Sequence, residues 1–204
     1  MIEKQLRRRG IVDERVLAAM STVPRELFVP EALRASAYED RALPIGYEQT
    51  ISQPYVVAAT CALLALGGAE HVLDVGTGSG YAACVLAELA GSVVTIERLP
   101  ELAAQATGAL AAAGHAEVEV RVGDGSLGVP DRAPYDAIAV AAATPTIPPA
   151  LLAQLAEGGR RVVPLGTRES QRLTLVERHG ERLVERSGLA CRFVPLLGRQ
   201  GFGG

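Results

Sequence analysis

The sequence predicts an α/β protein: a doubly wound, mostly parallel sheet, with antiparallel strands at its C-terminal end and a helical cap at its N-terminus. Three observations carry that prediction. From residue 71 to residue 164, apolar runs of strand length alternate with helical patterns. The first of these strands runs straight into a glycine turn that opens a helix. After residue 165 the helical patterns stop and residues alternate with period two. With 204 residues, 49% of them hydrophobic, the chain can bury one sizeable core, and neither an internal repeat nor a linker divides it. One domain over 1–204 is expected, with 1–42 as the cap and 43–204 as the α/β core.

Residues 1–40 are helical by pattern and broken by Gly10, Pro24 and Pro30, with Asp13 and Ser21 as candidate helix N-caps. Residues 43–54 lack periodicity without being charged or low in complexity, which marks an ordered, functional loop. A buried helix follows over Val56–Leu66, too short to span a bilayer. Next comes strand 71–75 with its helix, Tyr81 to Leu89. Strand Ser92–Ile96 precedes helix Leu99–Ala113, which Gly114 ends. Strand Glu117–Val122 leads into a Gly-Asp-Gly turn. Strand Tyr135–Ala141 precedes helix Pro149–Ala156, stopped by Gly158-Gly159, and strand Arg161–Pro164. Gln171–Arg178 and Glu181–Ser187 form a hairpin about His179-Gly180, and Leu189–Leu197 is a last strand.

Composition narrows the function. A net charge of −3 gives no global basic field, so nucleic acid is not an expected partner. The charged N-terminus excludes a secretory signal, and no membrane association is expected. Cys61, Cys84 and Cys191 lie in apolar segments with no framework spacing, which fits reduced, buried thiols and a cytoplasmic setting. With no C-x-x-C and no clustered histidines, no metal site is expected. The expected working unit is a monomer.

The chemistry centres on residues 71–80, His-Val-Leu-Asp-Val-Gly-Thr-Gly-Ser-Gly. A strand, a glycine turn and a helix bring backbone N–H groups close to a ligand. Asp74, just before the first glycine, suits a cationic or amine-bearing ligand better than a pyrophosphate. That favours S-adenosylmethionine over a dinucleotide. Gly-Ser-Gly-Tyr-Ala-Ala from Gly78 does satisfy the loose dinucleotide pattern, but it starts late and leaves Asp74 unexplained. Glu97 ends the second strand, 17 residues after Gly80, near the spacing at which an acid accepts ribose hydroxyls. Asp124 ends the third, where an acid can meet the exocyclic amine of adenine. Three acids thus sit at the carboxyl ends of three successive strands, where open α/β sheets bind ligands. Asp136 begins the fourth strand, at the opposite rim, and reads as structural. Ser52, in Gln-Thr-Ile-Ser-Gln-Pro-Tyr (49–55), reads by pattern alone first as a helix N-cap with Pro54 in the first turn, and second as a functional hydroxyl. No histidine lies near it in sequence, so a Ser–His triad has no support.

Several segments together resemble the protein-L-isoaspartate O-methyltransferase family. They are Val-Pro-Arg-Glu-Leu-Phe-Val-Pro (23–30), Leu-Pro-Ile-Gly (43–46), Gln-Thr-Ile-Ser-Gln-Pro-Tyr (49–55), Val-Leu-Asp-Val-Gly-Thr-Gly-Ser-Gly-Tyr (72–81), Gly-Asp-Gly (123–125), Ala-Pro-Tyr-Asp-Ala-Ile (133–138), Ile-Pro-Pro-Ala-Leu-Leu (147–152) and Arg-Phe-Val-Pro-Leu (192–196). The glycine motif is common to class I methyltransferases, whereas Thr-Ile-Ser-Gln-Pro and Phe-Val-Pro-Leu are close to family-specific. The resemblance implies an S-adenosylmethionine-dependent repair enzyme that methylates the free carboxylate of L-isoaspartyl residues in damaged proteins and peptides. The ester then closes to a succinimide that hydrolyses partly to aspartate. The resemblance also makes Ser52 the catalytic residue, reversing the weighting from pattern alone. It assigns Asp74, Gly76, Thr77, Gly78, Gly80, Glu97, Asp124 and Gly125 to the cofactor, and Thr50, Ile51, Phe193 and Val194 to the substrate. Tyr47-Glu48 replaces a His-Gly common in the family, Phe202 stands where a tryptophan is usual, and Gly128-Val129 lacks another. A related carboxyl methyltransferase acting on aspartate in a biosynthetic peptide, a catalytically silent S-adenosylmethionine-binding module, an RNA base methyltransferase and a nicotinamide oxidoreductase are the alternatives.

Overall fold

The computed structural model describes residues 1–203. Seven strands form one sheet: β3 (His71–Val75), β4 (Ser92–Glu97), β5 (Glu119–Val122), β6 (Tyr135–Val140), β7 (Leu155–Gly166), β8 (Gln171–His179) and β9 (Arg182–Cys191). Their spatial order is β5-β4-β3-β6-β7-β8-β9. The first five in that order run parallel, and β8 and β9 close the edge antiparallel. The order reverses direction between β3 and β6, which creates a crevice at the carboxyl ends of those two strands.

Both faces of β3, β4 and β6 are largely buried, so these strands read as mostly apolar runs, whereas the edge strand β5 is only half-buried. Helices α2 (Pro54–Leu64), α3 (Tyr81–Ala87) and α4 (Pro100–Ala112) cover one face together with the N-terminal cap, packing on Val72, Ala137 and Val162. The other face, carrying Leu73, Ile138 and Val163, is covered more thinly by α5 (Pro149–Ala153), Val129 and Leu196. The cap holds one α-helix, α1 (Glu14–Thr22), among shorter helices of six residues or fewer, and the Asp13 carboxylate caps α1 through the N–H groups of Arg15 and Val16. Among the described residues no helix is long and apolar enough to cross a membrane.

Several sequence expectations are corrected. Ser21 is no N-cap; it lies inside α1, because the break comes at Pro24. Residues 43–54 are no irregular loop: Leu43–Gly46 (β1) and Gln49–Ile51 (β2) form an antiparallel hairpin. Its turn residues Tyr47 and Glu48 both take left-handed φ, +51° and +58°, without the Asn-Gly chemistry that marks such turns. Helix α5 ends at Ala153, and Gly158-Gly159 lie within β7. Tyr135 pairs with Leu155 but Ala137 with Arg160, so those glycines bulge a strand and do not stop a helix. The expected separate strand 189–197 is divided. Residues up to Cys191 continue β9 through a bulge at Gly188, whose missing side chain leaves room for the Leu173 carbonyl. The rest leaves the sheet, and Ala143 is bonded to Val194 and Leu196. Cys61 and Cys84 are buried, as expected, whereas Cys191 is only half-buried.

Candidate active site

The glycine turn after β3 is held from below. The N–H groups of Gly76 and Thr77 donate to the Ile96 carbonyl of β4 at 2.9 and 3.3 Å. Gly76, Gly78 and Gly80 all take positive φ, at 96°, 52° and 90°, which a side chain would strain. Gly76 and Gly78 therefore present bare backbone to a cavity over the crevice. Gly80 faces elsewhere: a Cβ there would stand 3.3 Å from Ala106 and Leu110, so this glycine lets α3 approach α4.

The cavity is walled by Thr50, Ile51 and Ser52 at the end of the hairpin, by Glu97 of β4, by Gly125 after β5, and by Val194. Gly125 is obligatory for packing, because a Cβ would come within 2.8 Å of Val75. A smaller adjoining chamber shares Ser52, Val57, Ala82 and Ala141 with the first and adds Asp74 and Phe193. Of the residues singled out in the sequence, Thr50, Ile51, Ser52, Gly76, Thr77, Gly78, Glu97, Gly125 and Val194 line the main cavity. Asp74 and Phe193 line only the chamber, and Gly80 and Asp124 line neither.

The three strand-end acids do three different things. Glu97 accepts from the N–H of Gly78 at 3.0 Å and from those of Arg98 and Leu99 at 2.9 and 3.1 Å. It fixes the glycine turn while its carboxylate borders the cavity. Asp124 turns away: it accepts from Ser126 and from the Arg199 N–H at 2.8 Å, tying down the C-terminal segment. Burial pushes its pKa up, but the N–H of Arg199 and the hydroxyl and N–H of Ser126 outweigh it and hold the carboxyl below its usual range. Asp74 is 0% exposed. Its Oδ2 accepts from the Thr95 hydroxyl at 2.8 Å, which in turn accepts from that of Thr77 at 2.6 Å. Its Oδ1 has no partner. Burial pushes Asp74 up to about 7; the Thr95 hydroxyl opposes this and Glu97 adds to it. Asp136, at the opposite rim, accepts from the His71 N–H at 2.8 Å, a structural contact as expected.

Ser52 does not cap α2. The helix starts at Pro54 behind Gln53, and no side chain caps it. The Ser52 hydroxyl is thus left for the two spaces it borders. Sequence reasoning missed Arg98, Ala141 and Ala142, which also line the cavity, as does Leu196 of the 192–196 segment that the family resemblance had marked. The run of small residues ending the fourth strand, 141–143, is the signal that could have found two of them: Ala143 bonds the backbone of Val194 and Leu196 at 2.8 and 2.7 Å and brings that segment in. Among the described residues no cluster of three or more His, Cys, Asp or Glu could hold a metal ion.

An open α/β sheet of this order, with a glycine turn over its first parallel strand and an acid at the end of the second, defines a class I methyltransferase fold. A sequence model of the family "Protein-L-isoaspartate(D-aspartate) O-methyltransferase (PCMT)" matches residues 1–201. The chain belongs to that family. A protein-L-isoaspartate O-methyltransferase of Methanoculleus marisnigri is 55% identical over all of this chain and 93% of its own length. A second, from Syntrophobacter fumaroxidans, is 55% identical over all of this chain and 95% of its own. A solved protein-L-isoaspartate O-methyltransferase superposes with a TM-score of 0.88 at 30% identity, over 98% of this chain and 67% of that one. A Plasmodium falciparum structure, solved in complex with S-adenosyl-L-homocysteine, shares the fold with a TM-score of 0.83 at 23% identity, over 96% of each chain.

The residues fit S-adenosylmethionine. The bare backbone of Gly76 and Gly78 admits close approach, the Glu97 carboxylate can accept from a ribose diol, and the unpartnered Oδ1 of Asp74 is a buried polar atom of the adjoining chamber left for a ligand group to fill.

Proposed function

We propose that this chain is a protein-repair methyltransferase that esterifies the free carboxylate of L-isoaspartyl residues in damaged proteins and peptides, with Ser52 as the catalytic residue. The ester cyclises to a succinimide that opens partly to aspartate. The whole chain acts as one methyltransferase domain, working as a cytoplasmic monomer, with residues 1–42 as its cap. S-adenosylmethionine, when bound, supplies a methyl group made electrophilic by its sulfonium.

The chain's own task is orientation. A substrate carboxylate has a pKa of about 4 and is already ionised at pH 7, so the protein need not supply a base. The histidines fit that economy: His71 is bonded to Ser92 and the Arg132 carbonyl, His115 bridges Glu88 and Glu117, and no histidine lines the cavity among the described residues. Ser52 donates to one carboxylate oxygen and aims the other. Ile51, Val57 and Val194 wall the site and keep water from the carboxylate. Thr50, Ile51, Phe193 and Val194 take the substrate backbone. Gly76, Thr77, Gly78, Glu97 and Gly125 hold the donor directly, Asp74 from the chamber beneath, and Gly80 and Asp124 by keeping the surrounding loops in place.

The observation that carries this reading is the uncapped α2, which frees the Ser52 hydroxyl beside the Glu97-bordered cavity. The test is a methyl-transfer assay with a matched peptide pair. Transfer to the isoaspartyl peptide and none to the aspartyl one is expected. Transfer to the aspartyl peptide alone, or donor binding without turnover on either, overturns it.

A further inference from the structure

The cap segment 23–30 has no task in the proposed reaction, yet it delivers a buried cation to the site. Arg25 is 0% exposed. Its Nη2 donates to the Ser52 carbonyl at 2.7 Å, and its Nε donates to the Ala37 carbonyl at 2.7 Å. The guanidinium lies over the Tyr81 ring, 4.6 Å from its centroid. Nη1 is buried with no partner.

Those contacts join three separate parts of the chain. Ala37 belongs to the cap. Ser52 lies between β2 and α2, outside the sheet ladder and the helix, and the next residue, Gln53, is also tied to the cap through the Asp40 carbonyl at 2.9 Å. Tyr81 opens α3 directly after the glycine turn and walls the main cavity. Phe28, three residues after Arg25, packs edge-on to the same ring, centroids 5.7 Å apart. One planar fork therefore touches both the segment carrying the aiming hydroxyl and the first residue beyond the donor loop.

We infer that Arg25 is a positioning residue for methyl transfer: by holding the Ser52 carbonyl and stacking on Tyr81 it fixes the direction of the Ser52 hydroxyl relative to the glycine turn. A structural role alone is a poor account of it. Burying a guanidinium with an unpaired nitrogen is costly, and an apolar side chain of the same length would fill the space without that cost. What an apolar residue cannot do is hold two carbonyls and a ring in one geometry. A displacement of about 1 Å at a reacting group can cost roughly a hundredfold in rate.

The inference rests on the role proposed for Ser52, so the experiment carries a readout that does not need turnover. Arg25→Met and Arg25→Lys are compared with the unmodified chain. Three quantities are measured: kcat on an isoaspartyl peptide per donor-binding site, the Kd for S-adenosylmethionine, and amide hydrogen exchange across the chain. The expected result for Arg25→Met is a fall in kcat of about tenfold or more with Kd held within about threefold. Exchange should quicken around residues 51–57 and 80–82 and stay unchanged in β3 and β6. Arg25→Lys keeps the charge but not the fork, and should show the same local loosening. Should Arg25→Met fail to fold, Arg25→Lys gives the same three readouts. Unchanged exchange at 51–57, or quickened exchange spread evenly over the sheet with kcat per site intact, overturns the inference. An unmodified chain inert on the peptide would instead sink the functional reading, while the exchange data still judge the tie to Ser52.

Discussion

Both rims of the parallel sheet are lined with acids, and the two rims use them differently. At the amino rim three acids close on backbone, and Glu119, at the start of β5, closes on the Arg121 and Arg132 guanidiniums. Asp136 accepts from the His71 N–H at 2.8 Å, Glu70 from those of Gly67 and Gly68 at 2.7 and 2.8 Å, and Glu157 from that of Gly180 at 2.7 Å. At the carboxyl rim Glu97 and Asp124 do the same work for the glycine turn and the C-terminal segment. What sets this rim apart is Asp74, whose Oδ1 is buried and bare, together with turn glycines at positive φ and a serine that caps nothing. An acid at a strand end therefore does not by itself mark a site. Unfilled hydrogen-bonding capacity points to a ligand only where it meets a cavity, as at Asp74; Asp40 and Glu177 also keep a buried oxygen without a hydrogen-bond partner and line neither space.

The largest effect expected from breaking this contrast is at Ser52. Ser52→Ala removes the donor proposed to aim the nucleophile, and kcat should fall on the order of a hundredfold. Donor affinity by calorimetry and Tm should hold, because α2 does not depend on this side chain for its cap. A fall in Tm with kcat intact would return Ser52 to a structural role. Next is Asp74. Its carboxyl titrates near 7 in the folded chain, against about 3.9 when unfolded, so the folded state holds the extra proton between those values. That raised pKa stabilises the fold below about pH 4, and the gain is lost as pH rises towards 7. Asp74→Asn cannot ionise. Measured against the unmodified chain by denaturant unfolding, its relative stability should improve by about 2 kcal/mol between pH 5 and pH 8. A difference that does not change with pH would show that Asp74 stays ionised throughout.

The central parallel strands were legible because burial on both faces writes itself as apolar runs such as Ala137 to Val140, and the carboxyl rim followed from strand direction. The side-chain directions were not legible. Asp124 and Glu97 occupy equivalent places in the alternation, yet one turns to Arg199 and the other borders the cavity, a choice made by contacts 75 residues apart. The hairpin of β1 and β2 escaped notice because strands of four and three residues carry almost no period, and Tyr47-Glu48 lacks the usual turn residues. Gly158-Gly159 read as a helix stop because a bulge and a C-cap both call for glycine. Arg25 was invisible for a simpler reason: an arginine in a linear sequence is by default a solvated cation, and only the fold shows it beneath Tyr81 and Ser52.

The two smallest predictions form a pair across the sheet. Glu97→Ala removes the acceptor for three N–H groups of the turn and its neighbours and takes the carboxylate from the cavity wall. Hydrogen bonds to a charged group contribute about 1.5–3 kcal/mol, so affinity for S-adenosylmethionine should weaken by about tenfold or more. Unchanged affinity would remove Glu97 from the ribose role. Asp136→Ala is the amino-rim counterpart. It also leaves a backbone N–H at a strand end, that of His71, without its carboxylate. That N–H lies at the exposed rim, where water can replace the lost acceptor, so the loss should be about 1 kcal/mol, or roughly 2–4 °C in Tm for a chain of this size. Donor affinity and kcat should be unaffected, because β3 runs between this rim and the glycine turn and its central residues are held by β4 and β6 on both sides. If Asp136→Ala weakened donor binding as much as Glu97→Ala, β3 would have to transmit a change at His71 to Gly76. The division between a structural rim and a functional rim would then fail.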